Sequence, residues 1–299
     1  MPNTKPYIDN KGMLEFIKNI SKRNILDIHV AGNITKNCEG NDIVEMYDMY
    51  NSGCKAFTDD KNSLDRNDVM KIAMLYSKDA DFLIMNYACD TSLAKGHMNE
   101  GEISTKLGLK GIPSVAEEIM VDRDLNLCKY TNSKLHLSYI STKESVNKIK
   151  KAKSLGLKVS SDVTIHNLFL TEDLIKNFDT RYKVSPPLRT KIDNSSLING
   201  LKNDVIDIIS SDHTPINEEY KKTEFDNAEN GIIGLESAFG LLGKHIIHKI
   251  GISKLIEKIS INPRKILNIE EVIIEEGREA NMTLFDPDVE WLFNEEDIK

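Results

Sequence analysis

Apolar positions along this chain follow two alternating rhythms. Short aliphatic and aromatic runs stand at 25–30 (ILDIHV), 55–58 (KAFT), 81–87 (DFLIMNY), 135–140 (LHLSYI), 157–163 and 205–210. Between them, apolar residues recur at spacings of three and four. One face of 42–50 carries Ile43, Met46, Tyr47 and Tyr50, and one face of 68–77 carries Val69, Ile72, Ala73 and Tyr76. Segments 115–128, 143–154 and 171–177 also read as helices. Strand-length runs alternating with helical faces predict βαβ units and a parallel sheet. The last part predicts helices at 235–250, 253–259 and 263–267, then an apolar piece at 281–285. No compositional break marks a linker, so residues 1–299 are expected to form one barrel-type domain, with 278–299 opening a C-terminal β segment.

Six βα units are too few to close an eight-stranded barrel, and Pro2 already stands at an expected strand end. An open doubly wound sheet would need a Gly-rich first βα turn, and no G-x-G-x-x-G opens any unit. The expectation is therefore an α/β fold, a TIM-like (β/α)8 barrel that is incomplete, with its first strand missing. The Gly-rich, polar stretch 88–113 is too long for an ordinary turn and is a candidate functional loop.

Composition narrows the partners. Of 299 residues, 40% are hydrophobic and 29% charged, which suits a folded chain and not a disordered one. Lys and Arg number 39 against 47 Asp and Glu, a net charge of −8, the wrong sign for gripping nucleic acid or an anionic membrane. No apolar run is long enough to span a bilayer, and the opening MPNTKP lacks the basic and apolar regions of a secretion signal, which points to the cytoplasm. Cys38, Cys54, Cys89 and Cys128 show no Cys-x-x-Cys spacing and are expected to be reduced and mostly buried.

In a parallel α/β fold, chemistry gathers just past the carboxyl ends of the strands. Those positions hold Asn3, Asp59, Asp60, Tyr87, Tyr139, Asp162, Asp212 and His213. Asp212, followed by His-Thr-Pro at the end of an apolar strand, suits a general base or a metal ligand; a helix cap or turn acid is the structural alternative. The seven histidines (29, 97, 136, 166, 213, 245 and 248) form no recognisable metal motif, and His245 and His248 lack the H-E-x-x-H arrangement. Strand alternation sends His136 and Tyr139 to opposite faces, so His136 is expected to pack against a helix. No G-x-S-x-G elbow is present, and Cys89 is a weak candidate for a nucleophile.

Several segments together resemble the dihydroorotases of the amidohydrolase superfamily: MPNTKP at 1–6, KAFTDD at 55–60, MNEG at 98–101, GIP at 111–113 with AEE at 116–118, and ISTKESV at 140–146. KVSPPLR at 183–189, DHTP at 212–215, GIIGLE at 231–236, Asn262-Pro263 and 280–287 follow in the family's order. The resemblance implies a (β/α)8 barrel in which two zinc ions activate water for interconversion of N-carbamoyl-L-aspartate and dihydroorotate. It puts Asp212 at the proton-shuttling and metal position, Asp60 at the acidic metal-bridging position, and Asn3, Ser185 and Gly231 at substrate-contacting positions.

Departures from the family pattern fall on the same site. The family's first strand, with its His-x-His zinc pair and substrate-binding Arg, has no counterpart here. Tyr87 and Tyr139 occupy two further zinc-ligand His positions, Ser185 replaces an Asn, and Ile216 replaces a His. Phenols are poor zinc ligands, so zinc is expected to bind weakly or not at all. The resemblance extends to non-catalytic dihydroorotase-like proteins that accompany aspartate transcarbamoylase. An impaired scaffold of that kind is the leading expectation. A cyclic-amide hydrolase with an atypical metal site and a truncated product unable to fold alone are the alternatives, and homo-oligomerisation stays open.

Overall fold

A computed structural model describes residues 4–298. Its strands are β1 (Ala31–Gly32), β2 (Ala56–Phe57), β3 (Leu83–Tyr87), β4 (Met98–Asn99), β5 (Gly111–Ile112), β6 (Leu135–Ser138), β7 (Val159–Thr164) and β8 (Ile208–Ser210). Six of them form one sheet in the order β1-β2-β3-β6-β7-β8, every neighbouring pair parallel; β4 and β5 form a separate two-stranded ribbon. The helices that matter here are α1 (Lys11–Ser21), α2 (Met46–Asn51), α3 (Asn67–Ala80), α4 (Glu102–Leu107), α5 (Val115–Thr131), α6 (Lys143–Ser154), α7 (Lys191–Lys202), α8 (Glu218–Lys221) and α9 (Leu235–His245).

The two faces of the sheet differ in chemistry because side chains alternate along each strand. Phe57, Ile84, Leu135, Leu137, Val159, Val163 and Ile209 belong to the main apolar core, together with Val69, Met70, Ala73 and Met74 of α3, Met120, Val121 and Leu125 of α5, Val146 and Ile149 of α6, and Leu197 and Leu201 of α7. In register on the opposite face stand Met85, His136 and Ser160, with Tyr87 beside Ser138 and Asp162 beside Ile208. A flat sheet would hold β2 and β8, four spacings apart, roughly 19 Å from each other. Instead Lys61, just past β2, contacts Asp212, just past β8, at 2.8 Å. The sheet is therefore curled about its polar face, as in an incomplete parallel α/β barrel.

Three sequence expectations differ from the structure. Residues 25–30 are not a strand: Ile25 and Leu26 are 101% and 71% exposed, and pairing with β2 begins only at Ala31. Helix α1, not anticipated, is capped by Asn10, whose Oδ1 accepts from the Met13 amide at 3.1 Å, and it buries Leu14. The β segment expected over 278–299 is, through residue 298, an exposed chain with one short turn at Glu295–Asp297 and no strand. With no neighbouring backbone in register, its apolar residues are not enough to make a ladder. The strand end expected at Pro2 lies outside the described residues. No helix among the described residues is long and apolar enough to cross a membrane.

Phe57 anchors the core between sheet and helices. It is fully buried, and its ring centroid lies 4.8 Å from that of Phe82. Phe57→Ala is expected to lower stability by about 3–5 kcal/mol, read from the midpoint of urea unfolding at unchanged slope.

Candidate active site at the carboxyl ends of the strands

Two carboxylates define the site, and backbone geometry aims both. Asp60 and Asp212 follow β2 and β8 with positive φ values of 53° and 47°, conformations in which Asp is tolerated because its short polar side chain can bond locally. The Asp60 amide donates to Thr58 Oγ1 at 3.0 Å, and Thr214 Oγ1 donates to the Asp212 carbonyl at 3.2 Å. The neighbouring Asp59 points elsewhere. Buried, it accepts from the Ile34 and Thr35 amides at 2.8 and 3.0 Å and from the Thr35 hydroxyl, fastening the segment after β1.

Asp212 is almost fully enclosed, its side chain 4% exposed, and the Lys61 ammonium lies 2.8 Å from each carboxylate oxygen. Burial pushes the Asp212 carboxyl up to about 6; Lys61 opposes this, while Asp162 and Asp60 add to it. His166 Nε2 stands 3.8 Å from Asp212 Oδ2, but burial and then the Lys61 charge lower the imidazole to about 3. The ring is neutral at physiological pH, so this contact is not an ion pair.

Both tyrosines reach the same space. Tyr87 ends β3 and Tyr139 follows β6; their ring centroids lie 6.2 Å apart. The Tyr87 hydroxyl shares a 3.1 Å hydrogen bond with Ser185 Oγ, and the Tyr139 hydroxyl donates a long 3.4 Å contact to Asp60 Oδ1. Burial holds both phenols well above their ordinary value, reinforced at Tyr139 by the nearby Asp60, Asp162 and Asp212 carboxylates, so both stay protonated.

The expectation that His136 packs against a helix is corrected here. Its Nε2 lies 2.9 Å from Asp162 Oδ2 and its Nδ1 2.8 Å from Ser160 Oγ, both on the adjacent β7. Alternation fails to separate it from Tyr139 because the strand stops at Ser138 and Tyr139 adopts φ 59°, which turns its ring back toward Asp60. The same Asp162 carboxylate accepts from the Tyr139 amide at 3.1 Å and from Ser210 Oγ at 2.8 Å.

Of the remaining sequence candidates, Asn3 lies outside the described residues. Gly231 lies against the loop after Asp212: its amide donates to the Lys183 carbonyl at 3.0 Å, and a Cβ there would meet Ile216 Cγ1 at 2.5 Å and the Thr214 carbonyl oxygen at 2.6 Å. His213 is an acceptor: its Nδ1 takes the Gly234 and Leu235 amides at 3.1 and 3.3 Å and so caps α9. Cys89 is buried and its thiol is pushed up to about 11 by desolvation. All four cysteines are free thiols.

Sequence reasoning missed Lys61 and the buried scaffold behind the site. Glu117 accepts from the Ser141 and Thr142 amides at 3.1–3.2 Å and from both hydroxyls. Arg189 donates to Ser141 Oγ at 3.1 Å, Asn99 Oδ1 at 2.7 Å and the Ile112 carbonyl at 2.9 Å, and Asn99 passes a 2.8 Å hydrogen bond to Glu172. The long stretch 88–113 is thus ordered by the β4–β5 ribbon and this network. Asn99, Glu117, Ser141 and Arg189 each belong to a different segment on which the resemblance rests, and that recurrence was the available signal.

Whether these residues suit a zinc pair follows from their donors. Asp60 and Asp212 are one carboxylate each, the phenols are protonated, and an ammonium already holds both oxygens of Asp212. Among the described residues no three His, Cys, Asp or Glu side chains converge as a metal site. A structural or catalytic zinc needs three or four N, O or S donors, so this set does not fit.

Comparison with known proteins defines the class first. The fold matches L-hydantoinase (dihydropyrimidinase) from Arthrobacter aurescens with a TM-score of 0.78 at 21% identity, over 90% of this chain and 62% of that one. It also matches Saccharomyces cerevisiae dihydroorotase crystallised with 5-fluoroorotic acid, with a TM-score of 0.70 at 14% identity, over 91% of this chain and 76% of that one. What these two structures share with this chain is the fold, a parallel α/β barrel. Residues 1–145 match the "Dihydro-orotase-like" family model. The dihydroorotases of Caldicellulosiruptor saccharolyticus and Thermoanaerobacter sp. (strain X514) are each 41% identical to this chain over all of its length and 70% of theirs. The chain belongs to the dihydroorotase family.

Two outcomes test this geometry. With its thiol pushed up to about 11, Cys89 is ionised in about one molecule in ten thousand at pH 7, so iodoacetamide followed by peptide mass analysis should leave it unmodified in the native protein and modified after unfolding. Glu117→Gln removes one of the two anionic oxygens that gather Ser141 and Thr142, and should cost about 1–3 kcal/mol in urea unfolding.

Proposed function

We propose that this protein is a dihydroorotase-family member of pyrimidine biosynthesis whose hydrolytic site is impaired and which acts as a non-catalytic partner of aspartate transcarbamoylase in the cytoplasm. Its site descends from one shaped for N-carbamoyl-L-aspartate and dihydroorotate, with Asp212, Ser185, Gly231 and Asn3 at the corresponding positions. The observation that carries this reading is the pair of protonated phenols, buried Tyr87 and partly buried Tyr139, whose ring centroids lie 6.2 Å apart, with the Tyr139 hydroxyl on Asp60 and the Tyr87 hydroxyl on Ser185. A phenol that keeps its proton offers zinc no anionic donor. Without a metal, attacking water keeps a pKa of roughly 15.7 in place of about 7, and the amide carbonyl loses its electrophilic polarisation. Ring opening then slows by several powers of ten.

One observation favours a second reading, an active cyclic-amide hydrolase with an atypical site. The Asp212 carboxyl, pushed up to about 6, is poised to exchange a proton near neutral pH. The two readings part on purified protein. The impaired scaffold is expected to hold no stoichiometric zinc and to open dihydroorotate no faster than buffer, while comigrating with aspartate transcarbamoylase in gel filtration. Stoichiometric metal with turnover that Asp212→Asn abolishes would establish the second reading. Replacing both phenols (Tyr87→His with Tyr139→His) should raise zinc retention in equilibrium dialysis above that of the unaltered chain, because two neutral imidazole donors are restored.

A further inference from the structure

We propose that the Lys61 ammonium is the permanent counter-cation of this site, standing beside Asp212 in place of a metal ion. The inference rests on the reading that the zinc site is lost, and it assigns a role to a residue outside the segments that carry the family resemblance. Lys61 follows Asp60 directly in the loop after β2, so the chain that presents one site carboxylate delivers a positive charge to the other. Its Nζ lies 2.8 Å from both Asp212 oxygens and 5.2 Å from the centre of the Tyr139 ring. Both side chains are enclosed, with Lys61 21% and Asp212 4% exposed.

Three physical effects favour this placement. A carboxylate withdrawn from water has to be paired or neutralised, and an ammonium touching both oxygens pairs it without any exogenous ion. The face of the Tyr139 ring, negative at its centre, supports the same charge from another side. A divalent ion entering the space between Asp60 and Asp212 would meet that ammonium and would first have to evict it, because two cations cannot share so small an enclosure. The long aliphatic stem of Lys61 lets a surface loop carry its charge into the barrel mouth.

The test is thermal unfolding of four proteins, with and without excess zinc, alongside zinc retention by equilibrium dialysis. The unaltered chain is expected to retain no zinc and to show no zinc-dependent shift. Lys61→Met leaves the Asp212 charge unpaired and should melt roughly 5 °C lower. Lys61→Arg, which keeps the charge, should melt near the unaltered chain. Combining Lys61→Met with Asp212→Asn removes both charges and should recover most of the loss; if Lys61→Met alone cannot be obtained folded, a folded double variant gives the same answer. Zinc retained by the unaltered chain and lost in the double variant would overturn the proposed function, and this inference with it. If the unaltered chain takes no zinc while Lys61→Met melts at or above it, or the double variant recovers nothing, this inference alone fails.

Discussion

The site is organised by one carboxylate that does none of the exposed work. Asp162, buried on β7 between β6 and β8, accepts from an imidazole on the strand before it, from a hydroxyl on the strand after it, and from the amide at which the chain turns out of β6. Buried polar groups are costly unless satisfied, and a network that is fully satisfied has a single arrangement. That requirement sets β6, β7 and β8 at a common height and turns Tyr139 toward the barrel axis. The phenol meets Asp60 because of a backbone bend, and the bend is held by Asp162.

Around this centre the two faces of the sheet divide the labour. The outer face is aliphatic and binds α3, α5, α6 and α7 into one core, which supplies most of the cohesion. The inner face is polar and contributes little burial of apolar area, but it fixes directions. The network of Glu117, Arg189, Asn99 and Glu172 extends the same logic outward, tying the loop after β6 to the β4–β5 ribbon and to the segment that carries Ser185. Fold and site thus draw on different residues, and chemistry can drift at Tyr87, Tyr139 and Lys61 without disturbing the packing that makes the barrel.

Much of this was legible in the sequence. Five of the six sheet strands and helices α3, α5, α6 and α9 follow from apolar spacing, because outward-facing strand residues and inward-facing helix residues bury the same core. The spacing misled where burial did not follow hydrophobicity: ILDIHV reads as a strand, yet it stands ahead of the ladder with Ile25, Leu26 and Ile28 in solvent and only Val30 in the core. Alternation misled at Tyr139, since a rule of period two holds only while the strand continues. In the structure the Tyr139 hydroxyl reaches Asp60, the Tyr87 hydroxyl reaches Ser185, and the two rings lie side by side. Lys61 was passed over because a lysine after two aspartates ordinarily belongs to a solvated turn; only the curl of the sheet brings a distant carboxylate within its reach.

Gly231 carries a different lesson. Its α-carbon is roofed by the Ile216 side chain and by the main-chain oxygen of Thr214, and while the first of these could shrink by substitution, the second cannot. Any lineage that keeps this loop must keep the glycine, whether or not a ligand ever rests there. Its persistence in a relative would therefore testify to crowding and would say nothing about surviving catalysis.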